Sequence, residues 1–137
     1  MSAPDLTHFI AELGEFGDSG YVLNLDGVIA ADVENYLRAR PGPIENRTDQ
    51  GFLKMRSKEF FMPITGENAQ GLARLSENHA DPEVCSHLRV YQGNRLILSW
   101  HDVPFDPVYF GSEVAEARVR KLSASLGCRY VFVPAAS

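Results

Sequence analysis

The stretch HLRVYQGNRLILSW, residues 87 to 100, constrains the fold more than any other part of the chain. Apolar and polar residues alternate on both sides of Gly93-Asn94, the pattern of two half-buried strands joined by a tight turn. Side chains on a strand alternate between faces, so the length of the turn decides which residues reach the core together. Only an odd loop sets Leu88, Val90, Leu96, Leu98 and Trp100 on one face. An even one mixes polar and apolar residues on both, forfeiting burial worth roughly 1.5 to 3 kcal/mol for each large side chain. A three- or five-residue loop around Gly93-Asn94 is therefore expected, with His87, Arg89, Tyr91, Ile97, Ser99 and His101 on the opposite, wetter face.

The rest of the chain supplies elements to pack against that hairpin. Leu6, Phe9, Ile10, Leu13 and Phe16 recur at helical spacing behind a capping-box pattern of Ser2 and Asp5, with Pro4 in the first turn. YVLNL reads as a strand and Asp26-Gly27 as its turn, with VIA as a return strand. Val33, Tyr36 and Leu37 mark a short helix that ends at the prolines of RPGP, before a loop of about eleven residues. FLKMRSKEFFMPI has strand composition. Thr65 caps a helix with Ala69, Leu72, Leu75 and His79 inward, and Ser112 caps another with Ala115, Val119, Leu122 and Leu126 inward, a Glu116-Arg120 pair outward and Gly127 at its end. CRYVFVP closes the chain as a strand.

This order predicts an α+β fold, an antiparallel sheet of four to six strands with helices on one face. From about residue 59 the elements follow the ferredoxin-like βαββαβ order, with an α-β-α extension on the N-terminal side. At 137 residues the chain is long enough to bury one core without disulfide or metal staples, so a single domain over 1–137 is expected, residues 1–50 packing as an acidic extension on a 51–137 sheet core. No apolar run reaches the roughly 18 residues of a membrane span, and carboxylates stand where a signal peptide carries cations, which points to a cytoplasmic protein.

Charge is distributed unevenly. Asp5, Glu12, Glu15, Asp18, Asp26, Asp32 and Glu34 precede the first Lys or Arg, Arg38, although the net charge is only -5. A one-signed surface of this kind repels nucleic acid and attracts a basic protein patch. WHDVPFDPVYFG adds Phe105 and Tyr109 in a proline-stiffened segment, and rigid aromatics make favourable contact anchors.

Chemistry-bearing residues concentrate between His79 and Asp102. His87 and His101 can exchange protons near neutral pH and Arg89 can hold an anion. Cys85 and Cys128 read as small buried hydrophobes; Cys85 beside either histidine has the composition of a nucleophile and base, but it lies in no local signature that supports that role. His79, Asp81, Glu83, Cys85 and His87 are all potential zinc ligands, but in an extended chain residues two apart are displaced by more than about 6 Å, so no metal is expected. No Gly-rich phosphate loop, Cys-x-x-Cys, His-Glu-x-x-His or Gly-x-Ser-x-Gly occurs, and no cofactor is expected.

These features favour a small acidic, non-catalytic binding protein that docks on a basic protein partner and inhibits or neutralises it, as an immunity protein does. Its contact residues are Glu12, Glu15, Asp18, Asp26, Asp32, Glu34, Phe105 and Tyr109, and neither nucleic acid nor membrane is a partner. The alternative is a small hydrolase or phosphoryl- or acyl-transfer enzyme on an anionic substrate, with His87 and His101 as acid and base and Arg89 as anion holder; it requires those three side chains to converge. A third possibility is an oligomeric structural subunit, a homodimer through the open sheet face.

Overall fold

The structure, a computed structural model, describes residues 1–15, 19–24, 29–41 and 58–132. Helix α1 (Leu6–Glu12) runs on into a 3-10 turn (Leu13–Glu15), followed by β1 (Ser19–Asn24), α2 (Ala31–Arg38) and β2 (Lys58–Pro63). After them come α3 (Gly66–Ser76), the single turn α4 (Asp81–Val84), β3 (His87–Gln92), β4 (Arg95–Trp100), β5 (Val108–Phe110) and α5 (Glu116–Leu126). The fold is α+β, with an antiparallel sheet in the order β2-β1-β3-β4-β5.

The ferredoxin-like order is not what the strands adopt. In that order β4 would lie between β2 and β3; here β1 does, antiparallel to both. The N-terminal third thus supplies an interior strand instead of a layer added outside the sheet. Two further expectations change with it. Cys128–Phe132 form no strand, and Ile29–Ala30 are not part of a return strand. The Asp26-Gly27 turn, the loop after Pro41 and the stretch from Phe52 to Arg56 lie outside the described residues.

The hairpin solves its register problem differently from the expected odd loop. Gln92 pairs with Arg95, so the loop is the two residues Gly93 and Asn94, and Gly93 takes the left-handed φ of 62° that such a turn asks of its first position. Tyr91 then faces Leu96, yet Val90 faces Leu98 and Leu88 faces Trp100, which leaves Ile97 as one extra residue in β4. This β-bulge restores the core face after an even turn. Ile97 accordingly joins the core, whereas Leu96 turns to the other face and stays 41% exposed.

Phe60, Met62, Leu88, Val90, Leu98 and Trp100 meet the apolar sides of α1, α2, α3 and α5 in one cluster. Trp100 is fully buried within it, edge-on to Phe9 with ring centroids 5.2 Å apart, and its indole N–H donates to the Asp106 carbonyl at 2.7 Å. Caps refine the helix boundaries. Asp5, not Ser2, caps α1, its carboxylate accepting from the His8 N–H at 3.0 Å, and Thr65 accepts from the Asn68 N–H at 3.0 Å at the start of α3. Helix α5 begins after Ala115, so Ser112 is not its cap, while Gly127 ends it in the left-handed conformation at φ 68°.

The N-terminus closes one edge of the sheet. The Met1 ammonium donates to the Val108 carbonyl at 2.9 Å and the Val108 N–H returns a bond to the Met1 carbonyl at 2.8 Å, occupying outward-facing groups of β5.

Phe9→Ala removes the ring against which Trp100 packs and is expected to cost about 3 to 5 kcal/mol. A lowered urea midpoint, followed through the fluorescence of Trp100, the chain's one tryptophan, is the measurement that checks it.

Candidate functional site

With Leu88, Val90, Leu98 and Trp100 committed to the core, the alternate residues of β3 and β4 fall on the second face of the sheet. His87 and His101 meet there. Their Nδ1 atoms are 3.3 Å apart and their rings stand edge-to-face with centroids separated by 5.2 Å. Ser99, two residues before His101 on the same strand, places its hydroxyl 2.9 Å from His101 Nε2. Arg89 is paired across the ladder with Ser99, and Tyr109 of β5 is paired with Ser99 from the other side. His87 and His101 stand together, and Arg89, half-buried, is in register with Ser99 on the neighbouring strand.

The chain leaves β4 through Asp102, whose backbone turns left-handed at φ 49°, a conformation that Asp tolerates better than most residues. Its N–H donates to His87 Nδ1 at 3.2 Å. Burial, then the positive charge of neighbouring His101 and Arg89, pushes the His87 imidazole below its ordinary range, against a weaker opposing pull from Asp102 and Asp106. His87 is therefore a neutral ring near pH 7, accepting the Asp102 N–H.

The segment after Asp102 is held from several directions. The Val103 N–H donates to the Ser86 carbonyl at 2.8 Å, the Phe105 N–H to the Asp102 carbonyl at 2.8 Å, and the Trp100 indole to Asp106. Val103 is buried beneath it. Phe105 nonetheless remains 76% exposed, and Tyr109 on β5 61% exposed. In sequence, Asp102 precedes Phe105 by three residues and Asp106 follows it directly.

Among the described N-terminal acids, Glu12, Asp32 and Glu34 each have a local partner. Glu12 accepts from the Ser125 hydroxyl at 3.2 Å and lies 3.7 Å from His8. Asp32 lies 2.8 Å from His79 Nε2, a contact that holds its carboxyl below the usual range, and Glu34 pairs with Arg38 at 2.8 Å. The Glu15 side chain, Asp18 and Asp26 lie outside the described part of the chain.

The surroundings of Cys85 and the conformation of HADPEVCSH bear on the cysteine and metal alternatives. Cys85 is fully buried in the core, and burial pushes its thiol up to about 12, so it is neither a thiolate nor within the polar face. HADPEVCSH is not extended, because Asp81–Val84 forms a helical turn with Pro82 in its first positions. His79 lies beyond the end of α3, turned to Asp32 and to Glu83 at 3.9 Å, not in the inner stripe of the helix. Among the described residues no three His, Cys, Asp or Glu side chains are arranged to hold a metal ion, and no helix is long and apolar enough to cross a membrane.

Sequence reasoning placed His87, Arg89, Ser99 and His101 on one face but missed two partnerships. The Ser99-to-His101 contact was readable from their spacing of two on one strand. The Asp102 N–H bond to His87 was not, since it depends on a left-handed turn. Compared with known proteins, the chain matches no family model, no curated protein and no solved structure.

The lowered His87 pKa has a direct consequence. As pH falls through the ordinary value of 6.5, the unfolded chain takes up a proton before the folded one does, so folded stability drops from there until the depressed folded pKa is reached and then levels off. An NMR titration should place His87 below 6.5, and His87→Gln should flatten the decline in urea midpoint on acidification. The buried Cys85 should escape maleimide in the native chain at pH 8 and react only after unfolding in urea.

Proposed function

We propose that this protein is a small binding protein that docks on a basic protein partner and inhibits or neutralises it, in the manner of an immunity protein. The observation that carries this reading is Phe105, an aromatic ring left 76% exposed on a loop fixed by hydrogen bonds to β3 and β4. Exposing a large ring has a solvation cost, and holding it on a rigid loop lowers the entropy lost on association. Such anchors carry a disproportionate share of interface energy. Tyr109 adds a second exposed ring on β5.

Charge sets the partner's chemistry. Asp102 and Asp106 lie three residues before and one after Phe105, so the loop that carries the anchor also carries two carboxylates, which suits an apolar pocket rimmed by Lys or Arg. Glu12, Asp32 and Glu34 contribute less, each having a local partner, and Glu15, Asp18 and Asp26 complete the acidic set in the first third of the chain.

A second reading, a small acyl-transferring or hydrolytic enzyme acting on an anionic substrate, is favoured by one specific observation. His87 and His101 lie within hydrogen-bonding distance on a half-buried face, with Arg89 paired to Ser99 beside them.

Immobilised wild-type chain and a Phe105→Ala/Tyr109→Ala variant are compared on extract from the source cells. The docking reading expects a basic protein that the wild type retains and the variant does not. With that protein purified, Asp102→Asn/Asp106→Asn should slow its association at 0.01 M ionic strength and matter much less at 0.15 M, where the screening length falls from about 30 to about 8 Å. Equal retention by both chains, or retention only of further copies of the chain itself, overturns it.

A further inference from the structure

The proton positions on the second sheet face follow from its hydrogen bonds. His87 Nδ1 accepts the Asp102 N–H at 3.2 Å, so that nitrogen carries a lone pair and no proton. The same atom lies 3.3 Å from His101 Nδ1. Two lone pairs do not face each other at that distance, so His101 carries its proton on Nδ1 and donates it to His87. His101 Nε2 is left as an acceptor, and it lies 2.9 Å from the Ser99 hydroxyl, which must be the donor. This assignment gives each contact a donor and an acceptor, with the one His87 Nδ1 lone pair shared between the Asp102 and His101 N–H groups, and it orders them as hydroxyl, base and orienting group. A nucleophile, its general base and the group that fixes the base's tautomer stand in this order wherever a serine is activated by an imidazole.

We propose that Ser99 is the nucleophile of a carboxylic-ester-hydrolysing site, with His101 as its general base and His87 as the positioning residue behind it. The proposal rests on the second, enzymatic reading above and specifies its residues. Ser99 Oγ bonds to the ester carbonyl carbon as its proton passes to His101 Nε2 and the carbonyl electron pair moves onto oxygen. The carbonyl re-forms as the bond to the alcohol oxygen breaks, and His101 returns the proton to that leaving alcohol. Water then attacks the acyl-serine, giving a proton to His101, and collapse releases the carboxylic acid while the proton restores the Ser99 hydroxyl.

His87 occupies the place that a carboxylate takes in other serine nucleophile sites. It fixes the His101 tautomer as a carboxylate would, but, being neutral, it offers no charge to stabilise His101 once protonated. The site therefore suits esters with good leaving groups. Tyr109, paired with Ser99 across the ladder and 61% exposed, gives an aryl alcohol portion a flat apolar neighbour.

The full chain is treated with a fluorophosphonate, which reacts with activated serine hydroxyls, and the adduct is mapped by mass spectrometry; hydrolysis of p-nitrophenyl acetate is followed in parallel. The expected result is an adduct on Ser99, forming faster as pH rises through the imidazole range. His101→Gln should slow both reactions by about 100-fold or more, the lower end of what a positioned base contributes. His87→Gln should move the pH midpoint while leaving the adduct on Ser99, which a merely structural role would not do. Turnover lost in His101→Gln but kept in Ser99→Ala leaves the enzymatic reading standing and overturns the nucleophile, with the imidazole acting on water directly. No adduct on Ser99, together with ester hydrolysis no faster than that of a His87→Gln/His101→Gln variant, removes both. Mapping on the wild-type chain does not depend on any variant folding.

Discussion

The seating of Trp100 against Phe9 governs much of what lies around it. An indole fully buried in the core fixes the face on which Leu88, Val90 and Leu98 must lie, and a two-residue turn at Gly93-Asn94 would otherwise carry half of them to the wrong side. Placing one extra residue, Ile97, in β4 reconciles the turn with the burial. Every side chain on the second face inherits its position from that adjustment. His87 and His101 are brought within 3.3 Å because Leu88 and Trp100 are paired, and the indole N–H that holds Asp106 also steadies the loop carrying Phe105.

Local signals in the chain proved informative and long-range ones less so. The apolar stripe of α1 and the Thr65 cap of α3 follow from the residues themselves, because helix periodicity and capping are decided within a few positions. The faces of His87, Arg89, Ser99 and His101 were legible for the same reason, as alternation around a required core face. The strand order was not. Nothing in SGYVLN indicates that it pairs with β2 on one side and β3 on the other, since its partners lie far along the chain. Ile97 and Leu96 were assigned to each other's faces because a bulge leaves no mark in alternation.

The first third of the chain illustrates the difference between charge in sequence and charge in space. Seven acids before any Lys or Arg read as one anionic area, yet Asp32 lies against His79, Glu34 against Arg38 and Glu12 near His8 and Ser125. Among the described residues Glu34 meets a guanidinium, Asp32 a histidine, and Glu12 a histidine and a hydroxyl. Asp102 and Asp106, near Phe105 in sequence, belong to no acidic run.

An interior strand taken from residues 19–24 also bears on how the chain assembles. Its first neighbour, β2, arrives roughly 35 to 45 residues later and its second, β3, roughly 65 to 70, so β1 becomes an interior strand only once β3 has been made. Closing such long loops carries an entropic cost before any contact repays it, and the topology belongs with slower-folding domains. During synthesis the β3-facing edge of β1 stays without its partner until residues 87–92 emerge, and a chain stopped short of β3 lacks the strand that completes the middle of its sheet.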